Sequence, residues 1–360
     1  MKKLFSIMLL VLAFLVTLTA CSKKTYEIAL VTDVGNIDDK SFNEGAWNGV
    51  KQYAKANKIS YNYYKPTEDS KNARIESMKS AIEKGAKVVV CPGYLFEEAI
   101  FDVQDQYPDV AFLLLDGMPH DAEYKVYKTA DNVHCILYQE EQAGYLAGYA
   151  AVKEGYRKLG FLGGVDVPAV VRFGYGYVQG ADAAAKELEL ATGAVTIKYD
   201  YAGGFAPTDD LKSQMDSWYT GGTEVVFACG GGIYLSVTKA AEEQNKKVIG
   251  VDSDQAGVSN TVITSAMKDL TQSVKIALTS FYENEMKWDT AHAGKTATLG
   301  AKDQTVGLPT VASSWKFTKF TVAQYQTVFD KLANGTIVVN DSITAKPTTS
   351  DKVVVEYLNK

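Results

Sequence analysis

The sequence predicts an α/β protein made of two doubly wound lobes, and three observations carry that expectation. Apolar strand-like runs alternate with helical patterns along nearly the whole chain. Several runs, such as Ala111-Phe112-Leu113-Leu114-Leu115, are apolar without interruption, as strands covered on both faces of a parallel sheet must be. The pattern also starts afresh near Glu140, and 360 residues are too many for one compact core. The architecture expected is a pair of Rossmann-like sheets with helices on both faces.

The elements follow in order. Tyr26–Asp33 reads as a strand, and Asn43–Asn57 as a helix with Ala46, Val50, Tyr53 and Ala54 at helical spacing. A strand at Ser60–Lys65 precedes a helix at Lys71–Lys84, where Ile75, Met78 and Ile82 share a face. Strands at Val88–Pro92 and Val110–Asp116 flank a helix from Phe96 to Gln106. In the second half, Glu140–Lys153 is helical, Lys158–Gly163 a strand, Val170–Glu187 a helix and Val195–Tyr199 a strand. A helix at Asp209–Trp218 and a strand at Val225–Cys229 come next. Gly230-Gly231-Gly232 opens a helix to Asn245, and Lys247–Asp252 is a further strand. Helices at Ser273–Asn284 and Ala323–Asn334 return the chain to each lobe, and the last dozen residues carry no signal.

No Pro- or Ser-rich linker separates the halves, so short crossings are expected near Asn132–Gln139, near Asp252–Gly257 and after Trp288. The first lobe is then 26–135 plus about 253–290, the second 136–252 plus about 291–340, and 341–360 a tail. Several crossings between two lobes make a hinge, and the interlobe cleft can close on a small ligand.

The N-terminus bears on the compartment. Lys2 and Lys3 precede an apolar run from Leu4 to Val16, then Leu18-Thr19-Ala20-Cys21, the layout of a secretory signal peptide over residues 1–20. A cysteine directly after Leu-x-Ala resembles the lipobox of bacterial lipoproteins. That resemblance implies cleavage before Cys21 and acylation of Cys21, with 21–25 as a lipidated tether. Ordinary secretion, with Cys21 a chance residue, is the plainer alternative. Removal of residues 1–20 deepens the net charge from −6 to about −8. No basic cluster stands out, which argues against nucleic acid as a partner. Cys91, Cys135 and Cys229 are scattered and odd in number, so buried free thiols are expected rather than a disulfide framework.

The stretch with most chemistry is Asp33-Val34-Gly35-Asn36-Ile37-Asp38-Asp39-Lys40-Ser41-Phe42-Asn43. It places a carboxylate, an aromatic ring and an amide at the carboxyl end of a strand, where open α/β sheets bind small ligands. Asp38-Asp39 beside Lys40 reads as turn and capping chemistry, and Phe42 could equally be core. Strand-end aspartates such as Asp33 and Asp252 can also simply cap the next helix. Gly230-Gly231-Gly232 lacks the Lys-Ser/Thr of a phosphate-binding loop, and Arg172 alone is thin support for a phosphate site. His120, His134 and His292 have no recognisable base or metal partner and Gly-x-Ser-x-Gly is absent, so no enzymatic activity and no cofactor are expected.

Four features coincide: the lipobox, the Asp38-Asp39-Lys40-Ser41-Phe42-Asn43 turn, the Leu114-Leu115-Asp116 strand end, and Val248-Ile249-Gly250-Val251-Asp252, followed by Thr264-Ser265-Ala266-Met267-Lys268. Together, from about Tyr26 to about Leu332, they resemble the basic membrane protein family, purine-nucleoside receptor lipoproteins of ABC importers. The resemblance implies a type I periplasmic-binding-protein fold that holds its ligand between the lobes. It implies a monomer on the extracytoplasmic face of a bacterial cell membrane, anchored through Cys21, which delivers its nucleoside to an ABC permease and ATPase.

Residue by residue, it implies that Phe42 stacks on one face of the purine and Phe205 on the other. Asn43 and Asp116 would read the base edge, and Asp252 and Lys268 would hold the ribose. Gly230 or Gly231 would offer backbone N–H groups, and Asp33 would complete the sugar or edge contacts. The chemistry agrees: stacking adds about 1 kcal/mol per face whatever the base, and a carboxylate accepts only, so it favours N–H and O–H groups. Other ligands of the same fold, such as riboflavin or another ring-bearing metabolite, remain open, as does a role as sensory receptor, adhesin or antigen.

Overall fold

The computed structural model describes residues 24–358. The signal peptide and Cys21 lie outside the described residues.

The chain forms two sheets. The first has six strands: β1 (Ile28–Val31), β2 (Tyr61–Tyr64), β3 (Val88–Pro92), β4 (Ala111–Leu115), β5 (Val133–Tyr138) and β11 (Lys295–Leu299). Their order is β11-β5-β4-β3-β1-β2, and every pairing is parallel. The second holds β6 (Lys158–Gly163), β7 (Val195–Tyr201), β8 (Val225–Cys229), β9 (Lys247–Asp252), β10 (Val262–Lys268), β12 (Val306–Gly307) and β13 (Val353–Tyr357). Its order is β12-β10-β9-β8-β6-β7-β13, parallel except for the β10–β12 pair. β1, β3, β4 and β8 are buried at every position, as their unbroken apolar runs require.

The helices are α1 (Phe42–Asn57), α2 (Lys71–Glu83), α3 (Glu97–Val103), α4 (Glu140–Glu154), α5 (Pro168–Glu187), α6 (Asp209–Thr220), α7 (Tyr234–Glu243), α8 (Leu270–Glu283) and α9 (Val322–Ala333). The expected helices and the eight strands expected up to β9 are present within a few residues, but the segment expected as a crossing near Asn132–Gln139 is itself the interior strand β5, hydrogen-bonded in parallel to β4 and β11. Ser70, Thr208 and Asp269 cap α2, α6 and α8 by accepting from the N–H three residues on.

Two segments differ from the lobe boundaries expected. β10 extends the second sheet, whereas 253–290 was expected with the first lobe, because Val262–Met267 pairs in parallel with Val248–Asp252. β11 extends the first sheet beside β5, although 291–340 was expected with the second lobe. The 341–360 tail also contributes, since β13 pairs with β7 at the sheet edge. The crossings therefore fall at Gln139, at Asp269 (not Asp252–Gly257) and at 300–305. They are tied to one another: Gln139 N–H donates to Leu299 O at 2.9 Å, and Asp269 N–H donates to Thr305 O at 2.6 Å.

α4 and α5 pack with unusual closeness. A Cβ on Gly144 would stand 2.0 Å from Phe173 O, and one on Gly180 would stand 1.9 Å from Tyr145 O. Only glycine permits this backbone-to-backbone contact between helices. Cys91, Cys135 and Cys229 are buried free thiols, as expected.

Candidate functional site

A cavity of about 510 Å³ opens between the two sheets, at the carboxyl ends of β1, β3, β4, β8, β9 and β10. That volume suits a small ligand. Asp33, Phe42, Asn43, Asp116, Phe205, Gly230, Gly231, Asp252 and Lys268 all line it. Residues over 200 positions apart in sequence thus share one wall, as the two-sheet topology requires.

The turn after β1 is a hydrogen-bonded unit. Asp33 Oδ1 accepts from Gly35 N–H at 2.6 Å and from Asn43 Nδ2 at 2.8 Å, while Asp33 N–H donates to Asn43 Oδ1 at 3.3 Å. Asp39 is the cap of α1: its carboxylate accepts from the N–H groups of Ser41, Asn43 and Glu44 and from Asn43 Nδ2. Both Nδ2 hydrogens and the side-chain oxygen of Asn43 are therefore engaged within the turn. Burial lifts the Asp33 carboxyl to about 6, against the opposing pull of the Gly35 and Asn43 hydrogen bonds.

The opposite end of the polar set is built around Lys268, which ends β10 and is 3 % exposed. Its ammonium donates to Asp116 Oδ2 and to Glu140 Oε1 at 3.4 Å, and lies 3.7 Å from Asp252 Oδ1. It also faces the rings of Phe42, Tyr138 and Phe173, with 4.8, 5.4 and 5.5 Å to their centroids. Burial opposes the charge on Lys268, but Asp116, Glu140 and Asp252 outweigh it and keep the ammonium protonated. Burial likewise raises the Asp116 carboxyl above the usual range, with Lys268 offsetting part of the shift. Asp252 Oδ2 accepts from Ser41 Oγ at 2.6 Å, a bond from the first lobe to the second. The structure thus pairs Asp33 with Asn43, and Asp116 with Asp252 and Lys268.

The two rings enter from opposite lobes. Phe42 begins α1, and Phe205 lies in the loop after β7. A Cβ on Gly164 would stand 2.3 Å from the Phe205 ring, and one on Gly230 would stand 2.8 Å from it. Glycine at Gly230 (φ 144°) therefore makes room for the ring, a role distinct from the backbone donation expected of it.

Sequence reasoning passed over Ser41, Phe173, Glu140 and Gly164. Glu140-Glu141 opens a helix and reads as ordinary first-turn acid, and Phe173 reads as core. Arg172, considered as a phosphate ligand, instead donates from Nε to Glu140 Oε2 at 2.6 Å.

A family model for PnrA-like ABC transporter substrate-binding proteins matches residues 26–343. The chain belongs to that family. This substrate-binding protein is 30 % identical to basic membrane protein A of Borreliella burgdorferi over 84 % of its own length and 86 % of the relative's. It is 28 % identical to the ABC transporter nucleoside-binding protein BmpA of Lactococcus lactis, over 70 % and 74 % of the two chains. Its fold is that of an ABC transporter solute-binding protein from Aeropyrum pernix, with a TM-score of 0.72 over 88 % of this chain and 94 % of that one, at 20 % identity. The substrate-binding protein thus has the two-lobed fold of solute-binding proteins, with the cavity between its two sheets.

Proposed function

We propose that this ABC transporter substrate-binding protein captures purine nucleosides between its lobes and delivers them to a membrane permease. The observation that carries the reading is the pair of rings: Phe42 from one lobe and Phe205 from the other face one cavity whose charged groups are carboxylates apart from Lys268. Two rings bury both faces of a planar base, and the edges are left to polar groups. Asp33, held by Asn43, serves as acceptor for base N–H groups. Asp116, Asp252 and Lys268, bound to one another, serve the ribose, with acceptors for hydroxyls and one donor for a sugar oxygen.

Charge favours a nucleoside over a nucleotide. Asp33, Asp38, Asp39, Asp116 and Asp252 line the cavity against one lysine that carboxylates already surround. A phosphate would be repelled there. The nucleoside-binding relative is consistent with this class of ligand. Anchoring through Cys21 after the Leu18-Thr19-Ala20 segment would hold the receptor on the extracytoplasmic face, beside its permease and ATPase.

Calorimetry with guanosine, inosine, adenosine and uridine tests the reading. Micromolar or tighter binding of at least one purine nucleoside is expected. No heat from any purine at millimolar concentration would overturn it.

A further inference from the structure

Lys268 has three N–H donors and three carboxylates around it, of which only Asp116 and Asp252 line the cavity. The third, Glu140, is fully buried behind them at the start of α4. Its other oxygen is taken by Arg172 on α5, also outside the cavity lining. A chain of charged contacts therefore runs from Arg172 through Glu140 and Lys268 to Asp116. At its end Asp116 Oδ2 is bound, while Asp116 Oδ1 is buried with no partner among the described residues. A buried acceptor left unmatched costs free energy until something donates to it.

A buried carboxylate without a counter-ion would compete with Asp116 and Asp252 for the one ammonium. Arg172 removes that competition by binding Glu140 from the far side. Glu140 can then act as a fixed rest for Lys268. Tying α4 to α5 does not require the pair, because the backbone contacts at Gly144, Gly148, Gly176 and Gly180 already do so.

We infer that Arg172 and Glu140 are positioning residues for ligand binding: they set Lys268, and Lys268 sets Asp116 so that its Oδ1 is presented to a hydroxyl of the ligand. This rests on the nucleoside reading above, and on Asp116 meeting the ligand.

The test is a double-mutant cycle read by calorimetry with guanosine on the whole protein. It uses wild type, Asp116→Ala, Glu140→Gln, Lys268→Met and the Glu140→Gln/Lys268→Met pair, with a thermal melt for each. Glu140→Gln alone is expected to weaken binding about tenfold, yet to add less than about twofold once Lys268 is methionine, since its effect passes through that lysine. A merely structural Glu140 would add its full loss in both backgrounds, and that outcome overturns the inference. So does wild-type affinity in Glu140→Gln. If Glu140→Gln does not fold, Arg172 decides: Arg172→Gln should weaken guanosine about tenfold and Arg172→Lys should recover part of the loss. Equal affinity in those two variants overturns the inference. A wild type that binds no nucleoside defeats the functional reading itself, whereas loss in Asp116→Ala with none in Glu140→Gln defeats only the positioning.

Discussion

Asp116 and Asp252 are counterparts in the two lobes: each stands at the carboxyl end of a parallel strand with a left-handed backbone, φ 56° and 63°, and each is ion-paired to Lys268. Left-handed backbone is uncommon outside glycine and tends to persist where surrounding contacts over-determine it, as at ligand sites. Here it turns both carboxylates from their strands toward the same lysine. The lobes thus meet through charge as well as through the hinge.

Asp116 serves the sugar under this grouping, so Asp116→Ala should weaken guanosine, inosine and adenosine alike, by about 1–3 kcal/mol, the cost of removing one partner of a buried hydrogen bond. Titration of the three nucleosides checks it. A loss confined to guanosine and inosine would return Asp116 to the base edge, where the family resemblance puts it.

Phe42→Ala and Phe205→Ala should each cost about 1–3 kcal/mol of nucleoside affinity, as loss of one stacking face does. Phe42→Tyr and Phe205→Tyr should retain most of it. Calorimetry of the four variants, with melting temperatures as a folding control, measures both effects.

Affinity should also depend on pH through Asp33, whose carboxyl is lifted to about 6. Base N–H donors need the ionised form. Below about pH 6 the carboxyl must lose a proton before it can accept, so guanosine binding should weaken as pH falls through 6 and hold steady above 7. Asp33→Asn should weaken binding and flatten that profile between pH 5 and 7.

His134 gives a pH dependence of stability that is independent of ligand. It is buried on β5, donates from Nδ1 to the Lys295 carbonyl oxygen at 3.1 Å, and packs edge-on against His292 at 4.6 Å. Burial first, then His292, pulls its pKa down from 6.5 to about 4. Between those values the unfolded chain binds a proton that the native one refuses, so stability is full near neutrality and falls as pH drops from 6.5 to 4. The loss is about 3 kcal/mol at the lower limit. Urea unfolding of wild type and His134→Gln at pH 7 and 4.5 should show a smaller acid loss in the variant.

Much of this was legible before any coordinates. Unbroken apolar runs announce strands buried on both faces, so β3, β4, β8 and β9 could be placed almost to the residue. β10 was harder. Val262-Ile263-Thr264-Ser265-Ala266-Met267-Lys268 is an interior strand, yet its polar Thr264, Ser265 and Lys268 mask it; Ser265 accepts from Gln255 N–H, and Lys268 finds Asp116 and Glu140 far along the chain. β11 and β13 are edge strands with exposed residues among their positions; β11 is mostly polar, and the short Val353-Val354-Val355 run of β13 sits next to the chain end, where it was not read as a strand. At the candidate site, the residues singled out through the family resemblance all line one cavity. Glu140 was not singled out, because a buried first-turn glutamate looks like a solvent-facing one until its partners are placed. Nor could spacing say that Asp116 joins Asp252 rather than Asn43, since that grouping depends on how the two sheets face each other.

The glycine contact between α4 and α5 has a mechanical consequence. Where two helices touch main chain to main chain, no side chain lies between them to yield or slide, so the pair behaves as a strut rather than a bearing. Glu140 and Arg172 ride on that strut, one on each helix. Were the lobes to swing about Gln139, Asp269 and residues 300–305, the seat of Lys268 would travel as one stiff body and the deformation would fall on the three crossings.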